Sequence, residues 1–200
     1  MRLFATQTSP YARKVRMVLI EKGIACDVEW VDLRASDHPA LAHNPLGKIP
    51  VLLRDDGEPI YDSTVIVQFL EQLRPDPALI PHDSEGRLRA LRSEALAGGI
   101  MDATVAWVLE QRRSKDCQDQ DLLLRLHSKV VAGLTTLQQE SAAWNHGSDL
   151  PALPLDQIAA IAATGYVDLR APDFLIQFPN LVAWLHSVHG RPSVAQTVPQ

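Results

Sequence analysis

The sequence predicts an α/β unit followed by an all-α unit, and three observations carry that reading. Within the first 75 residues, apolar periodicity changes from strand-like to helical and back, in the order strand, helix, strand, strand, strand, helix. Pro75-Asp76-Pro77-Ala78-Leu79-Ile80-Pro81 is then a polar, Pro-rich connector of the kind that separates domains. Beyond it, the regular segments are helical. Domains are therefore expected over 1–75 and 83–200, with 76–82 as a linker.

A chain of 200 residues accommodates one large or two small domains with a sizeable core. Its hydrophobic share of 46% and charged share of 22% are those of a globular protein, and they exclude disorder and collagen-like repetition. The 19 basic and 24 acidic side chains give a net charge of −5, which argues against general nucleic-acid or anionic-membrane binding. Met1 to Thr8 lacks the apolar run of a signal peptide, and no stretch approaches the roughly 20 apolar residues of a membrane span. Cys26 and Cys117 fall in neither a zinc nor a Cys-x-x-Cys spacing. A soluble protein of the reducing cytoplasm is the expectation.

Taken in order, Arg2 to Thr6 reads as a short buried strand. Ser9 is a favoured N-cap and Pro10 fits the first helical position, where its missing N–H costs nothing. In the helix from Tyr11 to Lys22, Val15, Val18, Leu19 and Lys22 share a face, Arg13, Lys14 and Arg16 are assigned to solvent, and Gly23 supplies the stop. Cys26 to Asp32 alternates apolar and polar, the period of a half-buried strand, and completes a right-handed βαβ unit. Residues 33–48 are irregular, with a short helix allowed over Pro39 to His43.

Val51 to Leu53 and Pro59 to Tyr61 flank Asp55-Asp56-Gly57-Glu58 as a hairpin. Pro50 stands before this hairpin, where it cannot donate to a sheet ladder, and Ile49-Pro50 is a bond that can be cis at modest cost. If it is cis, the Ile49 N–H and C=O face outward and offer a dock for an extended peptide. Asp62 or Ser63 caps the next helix, in which Val65, Ile66, Phe69, Leu70 and Leu73 recur at helical spacing until Pro75.

In the second half, Asp83 or Ser84 caps a long helix to about Arg113, with Gly98-Gly99 as a bend or close-packing point. A second helix runs from about Gln120 to Ala143, antiparallel to the first. Trp144 to Leu153 is a loop. Leu155 to Val167 is Ala- and Ile-rich, as expected of a helix buried on most sides. The last helix runs from Phe178-Pro179-Asn180 to about His189.

The order βαβ then ββα is the thioredoxin-like arrangement. Together with Ser9-Pro10-Tyr11-x-Arg13-Lys14-Val15, Asn44-Pro45-x-Gly47-Lys48-Ile49-Pro50-Val51-Leu52 and Asp62-Ser63, it resembles the bacterial cytosolic glutathione S-transferases. Each motif alone is weak, but their order and spacing are specific, and the helical second half extends the resemblance over nearly the whole chain. It implies a thioredoxin-like domain followed by a helical bundle, with glutathione as cosubstrate and conjugation of its thiolate to a hydrophobic electrophile. It implies a homodimer as well. A glutathione-dependent reductase, isomerase or dehalogenase would share the site. A regulator of the same fold without enzyme activity, like stringent starvation protein, is the alternative of another class.

Within that resemblance Ser9 is the preferred catalytic residue, with Tyr11 and Thr8 as rivals. A hydrogen bond to a charged acceptor contributes roughly 1.5–3 kcal/mol. Each unit of thiol pKa corresponds to about 1.4 kcal/mol, so one donor plus a helix N-terminus suffices for a useful lowering. On Ser-Pro alone, Ser9 reads as a plain N-cap. Ile49 and Pro50 would hold the cysteinyl backbone, Asp62 and Ser63 the γ-glutamyl end, and Lys48 the glycyl carboxylate. The bland alternatives are a helix cap for Asp62-Ser63, an idle surface Lys48 and a ligand-free turn at Pro50.

The resemblance also implies a second-substrate pocket between the domains, lined by Tyr11 and the first helix of the second domain through Met101, Thr104, Trp107 or Val108, although apolar side chains at helical spacing are more often core. His186 and His189 lack a third ligand, so no metal is expected. Cys26 should be a buried small hydrophobe and Cys117 a loop residue. One departure from the family pattern is visible. Where the helix near Ile158 commonly opens with a Ser/Thr-x-x-Asp box, this chain has Pro154-Leu155-Asp156-Gln157, and Pro154 cannot cap through a side chain.

Overall fold

A computed structural model of the protein describes residues 1–144 and 151–199. The first half forms a four-stranded mixed sheet from β1 (Arg2–Ala5), β2 (Asp27–Trp30), β3 (Val51–Leu53) and β4 (Pro59–Ile60), in the order β2-β1-β3-β4. β1 runs parallel to β2, with Leu3 beside Val28, and antiparallel to β3, with Leu3 beside Leu52. The parallel pair is joined by helix α1 (Pro10–Glu21), and the hairpin β3-β4 leads into α2 (Ser63–Leu73), which packs on α1. This is the thioredoxin-like arrangement expected from the order of elements.

The second half is helical: α3 (Ser84–Gln111), α4 (Gln120–Ser141), α5 (Leu155–Arg170), α6 (Pro179–Ser187) and a short α7 (Pro192–Ala195). Asp83, Asp62 and Asp119 cap α3, α2 and α4 through their side chains. α5 extends past the expected end at Val167, a 3₁₀ helix over Pro172–Gln177 follows it, and α6 stops before His189 with α7 after it. The loop expected over Trp144 to Leu153 lies in part, at 145–150, outside the described residues. Among the described residues no helix is long and apolar enough to cross a membrane.

α1 departs most from expectation. Arg13 and Lys14, assigned to solvent, are 4% and 2% exposed, whereas Arg16 is half-buried. The reason is that α1 is covered on both sides, by α2 within its own half and by α3, α5 and α7 of the helical half. A charged residue on such a helix must find a partner or bear a large desolvation cost. Lys14 Nζ donates to Glu94 of α3 at 2.6 Å. Arg13 Nε donates to Thr197 Oγ1 at 3.4 Å and its guanidinium packs over Gly165 of α5, where an added Cβ would lie 2.1 Å from Nη1. Burial pulls the Arg13 guanidinium down to about 10, with nearby Arg16 adding to the effect.

The end of α1 is tied as well. Glu21 accepts from Arg191 Nε and Nη2 at 2.6 Å each, from the Leu153 N–H at 3.1 Å and from the Ser193 hydroxyl. Burial alone would raise this carboxyl, but the donors from Arg191, Ser193 and Leu153 outweigh it and hold it below the ordinary value. Lys22, buried as its place on the apolar face required, pairs with Glu71 at 2.7 Å and donates to the Arg74 and Pro77 carbonyls at 2.7 and 2.9 Å. The connector is thus anchored to the first half, and its Leu79 and Ile80 enter the core. Pro154 makes no side-chain cap for α5, while Asp156 accepts from the Gln157 N–H at 2.9 Å, and burial pushes its carboxyl above the ordinary value. Cys26 is half-buried rather than fully buried, because it lies just before edge strand β2.

Candidate functional site

Three chain segments of the first half converge at the mouth between the halves. The first is the turn into α1. Ser9 has extended backbone angles, its Oγ accepts the Ala12 N–H at 3.2 Å, and Pro10 occupies the first helical turn. A hydroxyl has one proton and two lone pairs, so capping α1 leaves the Ser9 proton available to a ligand. The N-cap reading and the donor reading of Ser9 are therefore compatible.

The second segment is Asn44 to Pro50. Asn44 is buried, its Nδ2 donates to the Lys48 carbonyl at 2.9 Å, and its Oδ1 accepts the Leu46 N–H at 3.0 Å. The Gly47 N–H closes the turn on the Asn44 carbonyl at 2.9 Å, with Gly47 at φ +61°, a left-handed value that favours glycine. Ile49-Pro50 is cis, Pro50 is buried and Lys48 is exposed. Among the described residues no turn or loop hydrogen bond uses the Ile49 N–H or C=O, so the backbone groups expected to face a ligand are open. The third segment is the start of α2, where Asp62 Oδ1 accepts the Thr64 N–H at 3.0 Å and Ser63 is buried. Tyr61-Asp62 is also cis, which nothing in the sequence signalled.

These segments line one cavity of about 620 Å³, within the usual range for small-molecule sites. Thr8, Ser9, Tyr11, Lys48, Ile49, Pro50, Asp62 and Ser63 all border it. Its far wall comes from Asp102, Val105, Ala106 and Leu109 of α3 and Tyr166 of α5. The residues expected there need correcting, apart from Tyr11. Met101 and Thr104 are 1% and 0% exposed, and the Thr104 hydroxyl donates to the Ile100 carbonyl at 2.7 Å. Trp107 packs edge-on against Phe174 at 5.3 Å, and Val108 is buried. Periodicity predicts the helix but not its cavity-facing side, because α3 is packed by α1, α4 and α5 and apolar residues occur all round it.

Asp102 is the residue that sequence reasoning missed. It is the one charge within Ile100 to Leu109, and a lone charge in such an apolar run is the signal that could have found it. The Tyr11 hydroxyl donates to its Oδ1 in a short hydrogen bond. Burial pushes the Tyr11 phenol above its ordinary value, and this bond to Asp102 raises it further. Tyr11 therefore stays protonated, with its proton directed at the carboxylate. Among the described residues no group of three or more His, Cys, Asp or Glu is arranged to hold a metal ion.

Residues 3–78 match the family model described as "Glutathione S-transferase, N-terminal domain". Over its full length the chain is 36% identical to the GST-like protein YibF of Escherichia coli (strain K12), covering 98% of that protein. Among solved structures, a glutathione S-transferase from Methylobacillus flagellatus KT with GSH bound superposes with a TM-score of 0.92 at 40% identity, covering 100% of this chain and 99% of that one. A glutathione S-transferase from Methylobacterium radiotolerans JCM 2831 in complex with glutathione sulfonate gives 0.91 at 37% identity, covering 99% and 94%. With similarity running end to end in sequence and in structure, the chain belongs to the glutathione S-transferase superfamily.

Proposed function

We propose that the protein binds glutathione in the cavity between its halves and transfers the thiolate to an electrophilic small molecule. The observation that carries this reading is the convergence on one cavity of the Ser9 hydroxyl, the open Ile49 backbone beside Pro50, and the Asp62-Ser63 start of α2. Ile49 and Pro50 hold the cysteinyl main chain, as a strand edge holds a peptide. The free N–H groups at the start of α2 and the Ser63 hydroxyl take the γ-glutamyl carboxylate, and Asp62 takes the amine. Lys48 neutralises the glycyl carboxylate.

Ser9 donates to the sulfur, and the start of α1 adds favourable potential for the anion. Tyr11 is the weaker candidate for this step because its proton is engaged by Asp102. Thr8 borders the same cavity but does not cap the helix. The thiolate then attacks an apolar electrophile seated against Val105, Ala106 and Leu109. The reading is completed by two domains divided near residues 76–82, a cytoplasmic location and a two-fold homodimer.

Calorimetric titration with glutathione tests binding; no heat at millimolar ligand would overturn the enzyme reading and favour a partner-binding role. Thiolate absorbance of the bound tripeptide tests the chemistry. Ser9→Ala should raise the thiol pKa by about 1–2, the equivalent of one lost charge-assisted hydrogen bond, and Tyr11→Phe should leave it within about 0.5. The reverse order would transfer the role to Tyr11. Products formed from a panel of electrophiles then separate conjugation from reduction, isomerisation or dehalogenation.

A further inference from the structure

We propose that Asp102 makes this cavity selective for electrophiles that carry a cationic group beside an apolar body. The inference rests on the glutathione reading above and names the class of second substrate. Bound glutathione would engage Lys48 and Asp62, the other charged side chains of the cavity lining. The space left beside the sulfur is then bounded by Val105, Ala106, Leu109, Tyr11 and Tyr166, with Asp102 as its sole carboxyl group among the described residues.

Asp102 is exposed to the cavity and, among the described residues, forms no salt bridge. Its Oδ1 accepts from the Tyr11 hydroxyl, which orients the carboxylate, and among the described residues Oδ2 has no hydrogen-bond partner. The charged and titratable groups felt by Tyr11 at this place are Asp102, Tyr166 and Asp62, all of them acidic. An anionic electrophile would meet uncompensated repulsion there, and a neutral apolar one would desolvate the carboxylate without replacing its water hydrogen bonds. A protonated amine on an apolar frame satisfies the carboxylate and fills the aliphatic wall together.

Nonreactive conjugates test this without requiring turnover. S-benzylglutathione, its para-aminomethyl form and its para-carboxy form would be titrated calorimetrically into the full-length protein and into Asp102→Asn and Asp102→Glu. The unsubstituted conjugate serves as the reference within each protein. In the natural protein the ammonium form should bind at least about tenfold more tightly than the carboxylate form, as expected of one partly solvated charge contact. Asp102→Asn, whose amide oxygen still accepts from Tyr11, should bring the two within about threefold, and Asp102→Glu should restore the order. Equal affinities in the natural protein, or an order unchanged in Asp102→Asn, would overturn the selectivity while leaving glutathione binding intact. Absence of binding by all three conjugates would overturn the glutathione reading and this inference together.

Discussion

Replacing Glu94 by Gln would leave Lys14 buried without a counter-charge, and the structure sets the expected cost. Both side chains are nearly inaccessible, at 2% and 3%, and their contact is 2.6 Å. Among the described residues the remaining partner of Lys14 Nζ is Thr64 Oγ1 at 3.5 Å, the limit of a hydrogen bond. Removing one member of such a pair costs about 3–5 kcal/mol. A cavity of about 290 Å³ bordered by Thr64, Gln68 and Glu94 adjoins the pair and gives water a route to it, which moves the expected value for Glu94→Gln to the lower end, about 3 kcal/mol. For a chain of this size that is a fall in melting temperature of about 6–12 °C.

The decisive comparison is with the double variant Lys14→Met/Glu94→Leu, which removes both charges and keeps apolar volume. It should lie within about 1.5 kcal/mol of the natural protein, because the desolvation cost disappears with the ion pair. Urea unfolding of Lys14→Met, Glu94→Leu, this double variant, Glu94→Gln and the natural protein gives the comparison directly. Single-variant losses under about 1 kcal/mol would refute the assignment of the pair as a buried, stabilising contact, as would a double variant no more stable than the sum of its parts.

Glu21→Gln should destabilise by about 3 kcal/mol at pH 7 through the loss of a buried charge contact with Arg191. Because the folded carboxyl lies below its ordinary value of 4.5, the contribution is complete above that pH and lost as pH falls through the folded value. The gap between the two proteins in acid unfolding should therefore close below about pH 4.5. Gly165→Ala brings a methyl into the Arg13 guanidinium and should cost about 1–3 kcal/mol in urea unfolding, with Arg13→Met in the same chain recovering part of it. Asn44→Ala removes the side-chain bonds to Lys48 and Leu46, and should weaken glutathione binding about tenfold with a loss of stability of about 1–3 kcal/mol.

The parts of this fold legible in the sequence are those set by neighbours along the chain. Ser9-Pro10 starts a helix, Asp83 caps one, and Pro50 before an apolar pair requires a turn that cannot join the ladder. Each follows from the chemistry of one or two adjacent residues, so α1, α3 and the Ile49-Pro50 bend were found where the structure has them. What failed depended on residues distant in sequence. Arg13 and Lys14 look like surface charges until Thr197 and Glu94 are known to lie against them, 184 and 80 residues away. The cavity face of α3 failed for a related reason. Periodicity identifies a helix, but a helix packed on several sides has no single apolar stripe to orient it, and Asp102 acquires meaning only from Tyr11, 91 residues before it.

Helix α1 begins at the Ser9 turn and is bound to the helical half at its middle by Lys14–Glu94 and Arg13–Thr197, and at its end by Glu21–Arg191. A rod pinned to the opposite half at several points along its length cannot hinge away from it at low cost. The cleft is therefore held at its width by the fold itself, and a ligand such as the proposed glutathione would meet a preorganised surface whose ordering entropy was spent during folding. Under the proposed function, discrimination among second substrates would then fall to the shape and charge of a standing cleft. Loosening the pins of α1, at sites well away from the sulfur, should relax selectivity before it abolishes binding.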